Sequence, residues 1–160
     1  MPRVLLSIGS NIEPRRRRLH DAFAIISTSV LENATMSSLY ITAPVGYVDQ
    51  PDFYNAAIVG TSAASAEDLH HQLKSVESTI GRLHRERWRE REIDVDIIII
   101  EGLVVNTDTL TIPHPRMRER RFVLQPSADV AADLVDPVTG RTVAELLDVC
   151  PDTSSVLRLD

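Results

Sequence analysis

The chain has 160 residues, of which 43% are hydrophobic and 25% are charged, and its formal net charge is −6. This size and composition predict one domain, residues 1–160, with a full core, and they exclude a disordered chain or a general nucleic-acid coat. No stretch approaches the roughly 20 apolar residues that span a bilayer, and the start of the chain is too short to be a signal peptide. A single cysteine, Cys150, excludes a disulfide framework. We therefore expect a soluble cytoplasmic protein.

The first half of the chain alternates between strand and helix patterns. "RVLLSIG" (3–9) predicts a buried strand, and apolar residues at three- and four-residue spacing predict a helix from Pro14 to Val30. "TMSSLYITA" (35–43) predicts a second strand. The segment 43–53 contains two prolines and a glycine, which indicates a long loop.

The second half repeats this alternation. "NAAIVGTSA" (55–63) predicts a strand, and Ser65 with Asp68 resembles a capping box at the start of a helix that ends at Gly81. The segment 83–92 lacks an apolar period and predicts a second long loop. "IDVDIIII" (93–100) is rich in β-branched residues and predicts the strongest strand, after which the chain can turn back beside it.

The order β-α-β-β-α-β predicts an α+β, ferredoxin-like core: an antiparallel sheet with helices packed on it. Loops as long as 43–53 and 83–92 are more often functional than accidental in a compact domain. Residues 107–160 are interpreted as a C-terminal extension on the same domain, with short helices at 117–125 and 142–150.

Asp94 and Asp96 stand two apart at the head of the last predicted strand. Side chains alternate between the two faces of a strand, so both carboxylates point the same way, with Cβ atoms roughly 6–7 Å apart. Carboxylates this close repel each other unless a cation or a shared proton lies between them. Magnesium takes oxygen ligands and would resolve the conflict. The alternative is a solvated outer face of an edge strand.

Arginines are concentrated in two segments that flank this acidic pair. They number nine of the seventeen basic residues: Arg82, Arg85, Arg87, Arg89, Arg91, Arg116, Arg118, Arg120 and Arg121. Planar guanidinium groups suit phosphate oxygens, so this composition indicates a protein that handles a polyphosphate, unless the arginines only neutralise the acids. The run Arg15–Arg18 is interpreted as a solvated helix face. The sequence lacks a P-loop, which excludes a P-loop kinase.

The few aromatic residues indicate a second binding function. Phe53, Tyr54 and Trp88 fall in the predicted loops, and Phe122 follows two arginines. A flat heterocycle could stack between such rings, with Asn55 supplying a donor and an acceptor to its edge. The alternative is ordinary packing of these rings.

Four spaced motifs resemble those of the 6-hydroxymethyl-7,8-dihydropterin pyrophosphokinase family of folate biosynthesis. They are "YITAPVG", "QPDFYNAA", "RWREREIDVDII" and "IPHPRMRERRFVL". The resemblance begins at "SIGSN" and covers nearly the whole chain. It implies a ferredoxin-like fold with closing loops, and transfer of the β,γ-pyrophosphoryl group of ATP to the pterin hydroxymethyl group with release of AMP.

The resemblance also implies roles for individual residues. Asp94 and Asp96 match the carboxylates that hold two Mg²⁺ ions, and together with Arg82 and Arg91 they match the catalytic group. The pterin would be bound by two stacking rings and four further positions: Phe53, Phe122, Thr42, Val45, Asn55 and Trp88. The positions that match ATP-binding residues are Glu77, Arg82, Arg91, Ile97, Thr111, His114 and Arg120.

Some residues depart from the family pattern. Arg89 and Glu90 replace a frequent Gly-Pro in the second loop, and either His84 or Arg85 takes the place of a second loop arginine. We expect a monomer that acts on the two small molecules, with no nucleic acid or membrane partner. The alternatives are a catalytically impaired relative that binds ligands or partners, and a ferredoxin-like RNA-binding module, which would carry its aromatic residues on sheet strands.

Overall fold

A computed structural model describes residues 1–43, 49–83 and 93–159, without the side chains of residues 82 and 83. Within these ranges the strands are β1 (Arg3–Ser10), β2 (Glu32–Met36), β3 (Tyr40–Thr42), β4 (Phe53–Thr61), β5 (Asp94–Ile100), β6 (Val105–Asn106), β7 (Thr111–Ile112) and β8 (Val156–Arg158). The helices are α1 (Arg15–Ser29), α2 (Ala66–Leu83), α3 (Arg121–Ala131) and α4 (Val143–Asp148), with a short 3₁₀ helix at Met117–Glu119.

The main sheet is antiparallel, with strand order β5-β1-β4-β3-β8 and with β2 also paired to β4. This order confirms the predicted ferredoxin-like β-α-β-β-α-β core, in which β1 and β4 are the central strands, with β5 beside β1 and β3 beside β4. The predicted strand 35–43 is divided into β2 and β3. At the break, the Ser37 hydroxyl accepts a hydrogen bond from the Ala57 amide at 2.9 Å and donates one to the Ser38 carbonyl at 2.8 Å.

Two predicted boundaries are wrong. Strand β4 begins at Phe53 rather than 55, because Phe53 and Tyr54 already pair with Thr42 and Ile41 of β3. The segment after β5 does not return beside that strand; β6 pairs with β7 in a separate two-stranded sheet. The predicted capping contact is present, since the Ser65 hydroxyl accepts the Asp68 amide hydrogen at 3.1 Å.

Both faces of the sheet are covered, which explains why β1 is buried along almost its entire length. Helices α1 and α2 cover one face, over a core that includes Leu6, Ile8 and Ile97. Helices α3 and α4 cover part of the other face, over a core that includes Leu5 and Ile98. Among the described residues, no helix combines the length and apolar character needed to cross a bilayer.

The arginine run 15–18 does not form the single solvated face that we predicted. Arg18 is fully buried, and its Nη2 donates to the Glu13 carbonyl at 3.0 Å. The Arg15 side chain is only 16% exposed, whereas that of Arg17 is 71% exposed. The helix rotates its side chains by about 100° per residue, so adjacent arginines meet different surroundings.

A buried ion pair anchors the C-terminal extension. Asp136 is fully buried and accepts two hydrogen bonds from the Arg118 guanidinium, at 2.7 and 3.0 Å, and one from the Thr139 hydroxyl at 2.8 Å. Burial alone would raise the pKa of Asp136, but the hydrogen bonds from Arg118, Thr139 and the Val138 amide outweigh it and keep this pKa below its ordinary value. The pair fixes the segment that leads into α3.

Replacing Asp136 by Asn should lower the free energy of unfolding by about 3 kcal/mol, because it leaves the Arg118 charge without its buried counterion. Since the folded pKa of Asp136 is depressed, its contribution is present above the unfolded pKa of about 3.9 and is lost as pH falls through the folded value. Urea titrations at pH 7 and pH 3 measure both effects. The matched control is Asp133→Asn, which removes an exposed pair with Arg3 and should leave the free energy of unfolding nearly unchanged. Equal losses for the two variants would contradict this account.

Candidate active site

A cavity of about 230 Å³ lies on the same sheet face as α3, over the part of that face that the helix does not cover. We call it the sheet cavity. Its described lining comes from β1, β3, β4, β5 and the start of α3: Ser7, Gly9, Thr42, Ala43, Gln50, Phe53, Asn55, Asp94, Asp96, Arg120 and Phe122. It therefore brings together residues that are more than one hundred positions apart in the sequence.

The floor of the sheet cavity depends on the register of three strands. Gly9 of β1 pairs with Asn55 of β4 on one side and with Asp94 of β5 on the other. A Cβ atom on Gly9 would lie 2.7 Å from the Asn55 Oδ1 atom, so the missing side chain leaves room for the amide of Asn55 to lie over β1. The Asn55 Nδ2 atom donates to the Thr42 hydroxyl at 2.7 Å, which fixes the orientation of the buried amide.

Asp94 and Asp96 both line the sheet cavity, while Val95 between them is buried in the core on the opposite face. This alternation is as predicted from the sequence. Asp94 is partly buried and Asp96 is exposed. Two carboxylates on one face supply the oxygen ligands that magnesium takes, and this ion commonly uses one or two carboxylates together with substrate phosphates. The donor set therefore fits magnesium; the described residues contain no group of three or more acidic, His or Cys side chains that could hold a metal without substrate.

A second cavity, of about 290 Å³, lies at the edge of β5 that faces away from β1. We call it the edge cavity. It is lined by α2, β5 and the segment around β7: His70, Lys74, Val95, Asp96, Ile97, Asp108, Thr109, Leu110, Thr111, His114 and Pro115. Asp96 lines both cavities and so stands between them.

His114 is a neutral hydrogen-bond donor in the edge cavity. Burial lowers the pKa of His114 below its ordinary value, and the nearby Arg120 and Arg116 charges lower it further against the opposing effect of Asp96. Its Nδ1 atom accepts the Arg116 amide hydrogen at 3.2 Å, so the ring proton lies on Nε2. An uncharged imidazole with an Nε2–H group suits a phosphate oxygen without adding charge.

Glu77 was predicted at the nucleotide site, and in the structure its carboxylate is engaged by the protein. One oxygen accepts the Val95 amide hydrogen at 2.8 Å, and the other pairs with Lys74 at 3.1 Å. Glu77 thus connects α2 to β5 behind the lining of the edge cavity. Lys74, the lysine that this pair holds, does line that cavity.

The described arginines of the second cluster have different functions. Arg118 and Arg121 are committed to structure, because Arg118 pairs with Asp136 and Arg121 donates to the Asp152 carbonyl at 2.9 Å. Arg120 lines the sheet cavity, where its guanidinium carbon lies 5.6 Å from the centre of the Phe122 ring. The cluster therefore presents Arg120 to the cavity and uses its neighbours to hold α3 in place.

The remaining predicted residues lie outside the described part of the chain. These are Val45, Trp88, Arg91, His84 and Arg85, together with the side chain of Arg82, whose backbone belongs to α2. The roles predicted for them stay predictions.

Several lining residues were not among the predicted site residues. Ser7 and Gly9 lie on the same face of β1 by alternation, but "SIGSN" contains no charged or aromatic residue that would have marked it as part of a site. Gln50 accepts a hydrogen bond from Asn11 at 2.7 Å at the cavity rim. His70 and Lys74 share one face of α2 at four-residue spacing, which is a signal that could have been found once the helix was aligned with β5.

Two cavities that meet at one strand can hold two small molecules side by side, and the acids of that strand suit metal-assisted group transfer between them. The sequence profile of the 7,8-dihydro-6-hydroxymethylpterin-pyrophosphokinase (HPPK) family matches residues 5–132. The chain belongs to this family.

Individual relatives agree with this assignment. The chain is 37% identical over 148 residues to the 2-amino-4-hydroxy-6-hydroxymethyldihydropteridine pyrophosphokinase of Methylorubrum extorquens, covering 92% of both chains. It is 36% identical over 149 residues to the folic acid synthesis protein fol1 of Pneumocystis carinii, where the match covers 93% of this chain but only 20% of that longer protein.

The solved structures support the fold. The crystal structure of Plasmodium falciparum HPPK-DHPS wild type with pteroate matches with a TM-score of 0.71 at 14% identity, covering 92% of this chain and 42% of that chain.

Family membership confirms the predicted pyrophosphokinase class and decides against the RNA-binding module. The prediction that Phe53 and Tyr54 lie in a loop is wrong, however, because both residues belong to strand β4.

Replacing Gly9 by Ala should displace the Asn55 amide, because the new Cβ atom would overlap its Oδ1 atom. We expect a loss of about 1 kcal/mol in the free energy of unfolding, the value of the broken hydrogen bond to Thr42. Urea denaturation measures this loss, and a crystal structure of the variant should show Asn55 rotated.

The same Gly9→Ala change in an Asn55→Ala background is the control. It should cost nothing or stabilise the strand slightly, because the overlapping atom is gone and alanine restricts the unfolded chain more than glycine does. Additive losses in the double variant would show that Gly9 acts independently of Asn55.

Proposed function

We infer that this protein transfers the β,γ-pyrophosphoryl group of ATP to the hydroxymethyl group of 6-hydroxymethyl-7,8-dihydropterin in folate biosynthesis, releasing AMP. The observation that carries this inference is the position of Asp96, which lines both cavities. A group that passes between two substrates must cross the point where their sites meet. ATP is the co-substrate, and small molecules rather than macromolecules are the partners.

The sheet cavity is the proposed pterin site. Phe53 and Phe122 line it and supply aromatic faces for a flat ring, while Asn55 supplies a fixed amide for its polar edge. The side chain of Thr42 is engaged with Asn55, so Thr42 would meet the pterin through its backbone, as would Val45. Trp88 would cover the bound ring.

The edge cavity is the proposed nucleotide site. Ile97 and Thr111 line it and would contact the adenine, with Glu77 fixing the strand beside them. The His114 Nε2–H group in this cavity and the guanidinium of Arg120 in the neighbouring sheet cavity would donate to phosphate oxygens. Arg82 and Arg91 would stabilise the charge that develops as the bond to the α,β-bridging oxygen breaks.

Asp94 and Asp96 are the proposed ligands of two magnesium ions. Bound magnesium would neutralise phosphate charge and lower the pKa of the attacking hydroxyl. Among the described lining residues of the sheet cavity, the carboxylates are also the only bases placed to accept the hydroxyl proton, and we assign this step to Asp96. Most of the acceleration would come from positioning and charge neutralisation.

We also propose that residues 1–160 form one monomeric, cytoplasmic domain. The two cores support the single domain, because strands β1, β4 and β5 contribute side chains to both of them. The experiment that tests the function is the release of AMP from ATP and Mg²⁺, measured with and without hydroxymethyl-dihydropterin. Release that does not depend on the pterin would contradict the proposal.

Replacing Asp94 or Asp96 by Ala should lower kcat at least about 100-fold, because each variant loses a ligand that holds charge-neutralising metal at the transferred phosphates. Steady-state AMP release over a range of Mg²⁺ concentrations measures this. Pterin stacking should be largely retained, which fluorescence titration of the bound pterin checks.

The matched control is Glu101→Gln, in the turn that follows the opposite end of β5. Glu101 is exposed and pairs with Arg3, away from both cavities, so kcat should be unchanged. Unchanged kcat in the Asp94 and Asp96 variants would reject their assignment as metal ligands.

A further inference from the structure

Arg15, the first residue of α1, holds the backbone at the start of β4. Its Nη1 atom donates to the Asp52 carbonyl at 2.9 Å, and its guanidinium carbon lies 4.0 Å from the centre of the Tyr54 ring. Asp52 and Tyr54 are the two neighbours of Phe53 in the chain. The Arg15 side chain therefore contacts the residues on both sides of Phe53, whose ring lines the sheet cavity.

Glu13 fixes the orientation of the Arg15 guanidinium. The Glu13 carboxylate accepts hydrogen bonds from the Arg15 backbone amide at 3.1 Å and from Nε at 3.1 Å, and it pairs with Nη2 at 2.9 Å. The guanidinium is thus neutralised on one edge, donates to a carbonyl on another and stacks through its flat face. Only a planar fork can make all three contacts at once.

The start of β4 needs such support because the sheet holds it weakly. Tyr54 is the last β4 residue that pairs with β1, opposite Ser10. Within the described residues, Phe53 pairs only with Thr42, the final residue of the three-residue strand β3. Alternation along β4 turns Tyr54 to the α1 face and Phe53 into the sheet cavity. A contact that fixes Tyr54 on one face of β4 therefore also fixes the position of the Phe53 ring on the other face.

We propose that Arg15 is a positioning residue for the pterin: through Asp52 and Tyr54 it fixes the Phe53 ring against which the pterin stacks. This inference rests on the proposed function of the sheet cavity. Arg15 lines neither cavity in the described structure, so its effect on the pterin is indirect, and Phe53 is the cavity residue that stands between its two contacts. In the part of the chain that the structure describes, Arg17, two residues further along the same arginine run, makes no such contact with β4. Its side chain is exposed and pairs with Asp21 of its own helix at 3.6 Å.

The experiment is steady-state AMP release with pterin and ATP varied separately. Arg15→Ala should raise KM for the pterin about tenfold, because losing the stacked guanidinium and its carbonyl contact leaves Phe53 to be ordered by the ligand. KM for ATP and kcat at saturating pterin should stay within about twofold of the parent enzyme. Arg15→Lys keeps the charge but not the planar fork and should give an intermediate KM for the pterin.

Two comparisons separate positioning from a general loss of structure. Arg17→Ala, the matched control from the same helix, should leave both KM values unchanged. In a Phe53→Ala background, Arg15→Ala should not raise KM for the pterin further, because the ring that it positions is absent. Circular dichroism and urea denaturation establish that each variant is folded; if Arg15→Ala is not, the comparison is made with Arg15→Lys.

The proposal is overturned if Arg15→Ala changes KM for the pterin no more than Arg17→Ala does, if KM for ATP rises equally, or if the effect persists without Phe53. These outcomes leave the proposed function intact as long as the parent enzyme releases AMP only with pterin. Pterin-independent release by the parent enzyme would instead reject the function itself.

Discussion

The register of β1 between β4 and β5 is the constraint on which the site depends. It sets Gly9 between Asn55 and Asp94, and so places an amide and a carboxylate on one floor with a bare backbone between them. Side chains alternate with a period of two along a strand, so a slip of one residue in β5 would turn both aspartates into the core and expose Val95 and Ile97. The aliphatic residues of β5 thus fix the direction of its acids.

The same register explains why strand β5 can carry two aspartates although most of its side chains are buried. Asp94 and Asp96 occupy the end of β5 that α3 does not cover, whereas the Ile98 and Ile99 side chains farther along pack beneath that helix. A register shift between Leu5 and Leu6 of β1 accompanies this change from an open to a covered strand. The acidic pair therefore lines the sheet cavity, while the aliphatic side chains of β5 fill the two cores.

Supporting contacts reach the aromatic walls of the sheet cavity from outside it. The carboxylate of Asp152 accepts the Arg121 amide hydrogen at 3.0 Å. This contact fixes the backbone at the start of α3, between the two cavity residues Arg120 and Phe122. Arg15 holds the segment that carries Phe53. A stacking site needs its rings held at a fixed separation, and here each ring is held by contacts with a distant part of the chain.

The sequence by itself determined the element order, the shared face of Asp94 and Asp96, and the family, because periodicity and spaced motifs are local properties that any fold must respect. It did not determine that Phe53 begins a strand, that Arg18 is buried while Arg17 is exposed, or that Gly9 serves the Asn55 amide. Each of these depends on which strand or helix lies opposite, and pairing partners are far apart in the sequence. Only the tertiary structure decided that Asp96 stands between two cavities, since a cavity is formed by the gap between elements and belongs to none of them.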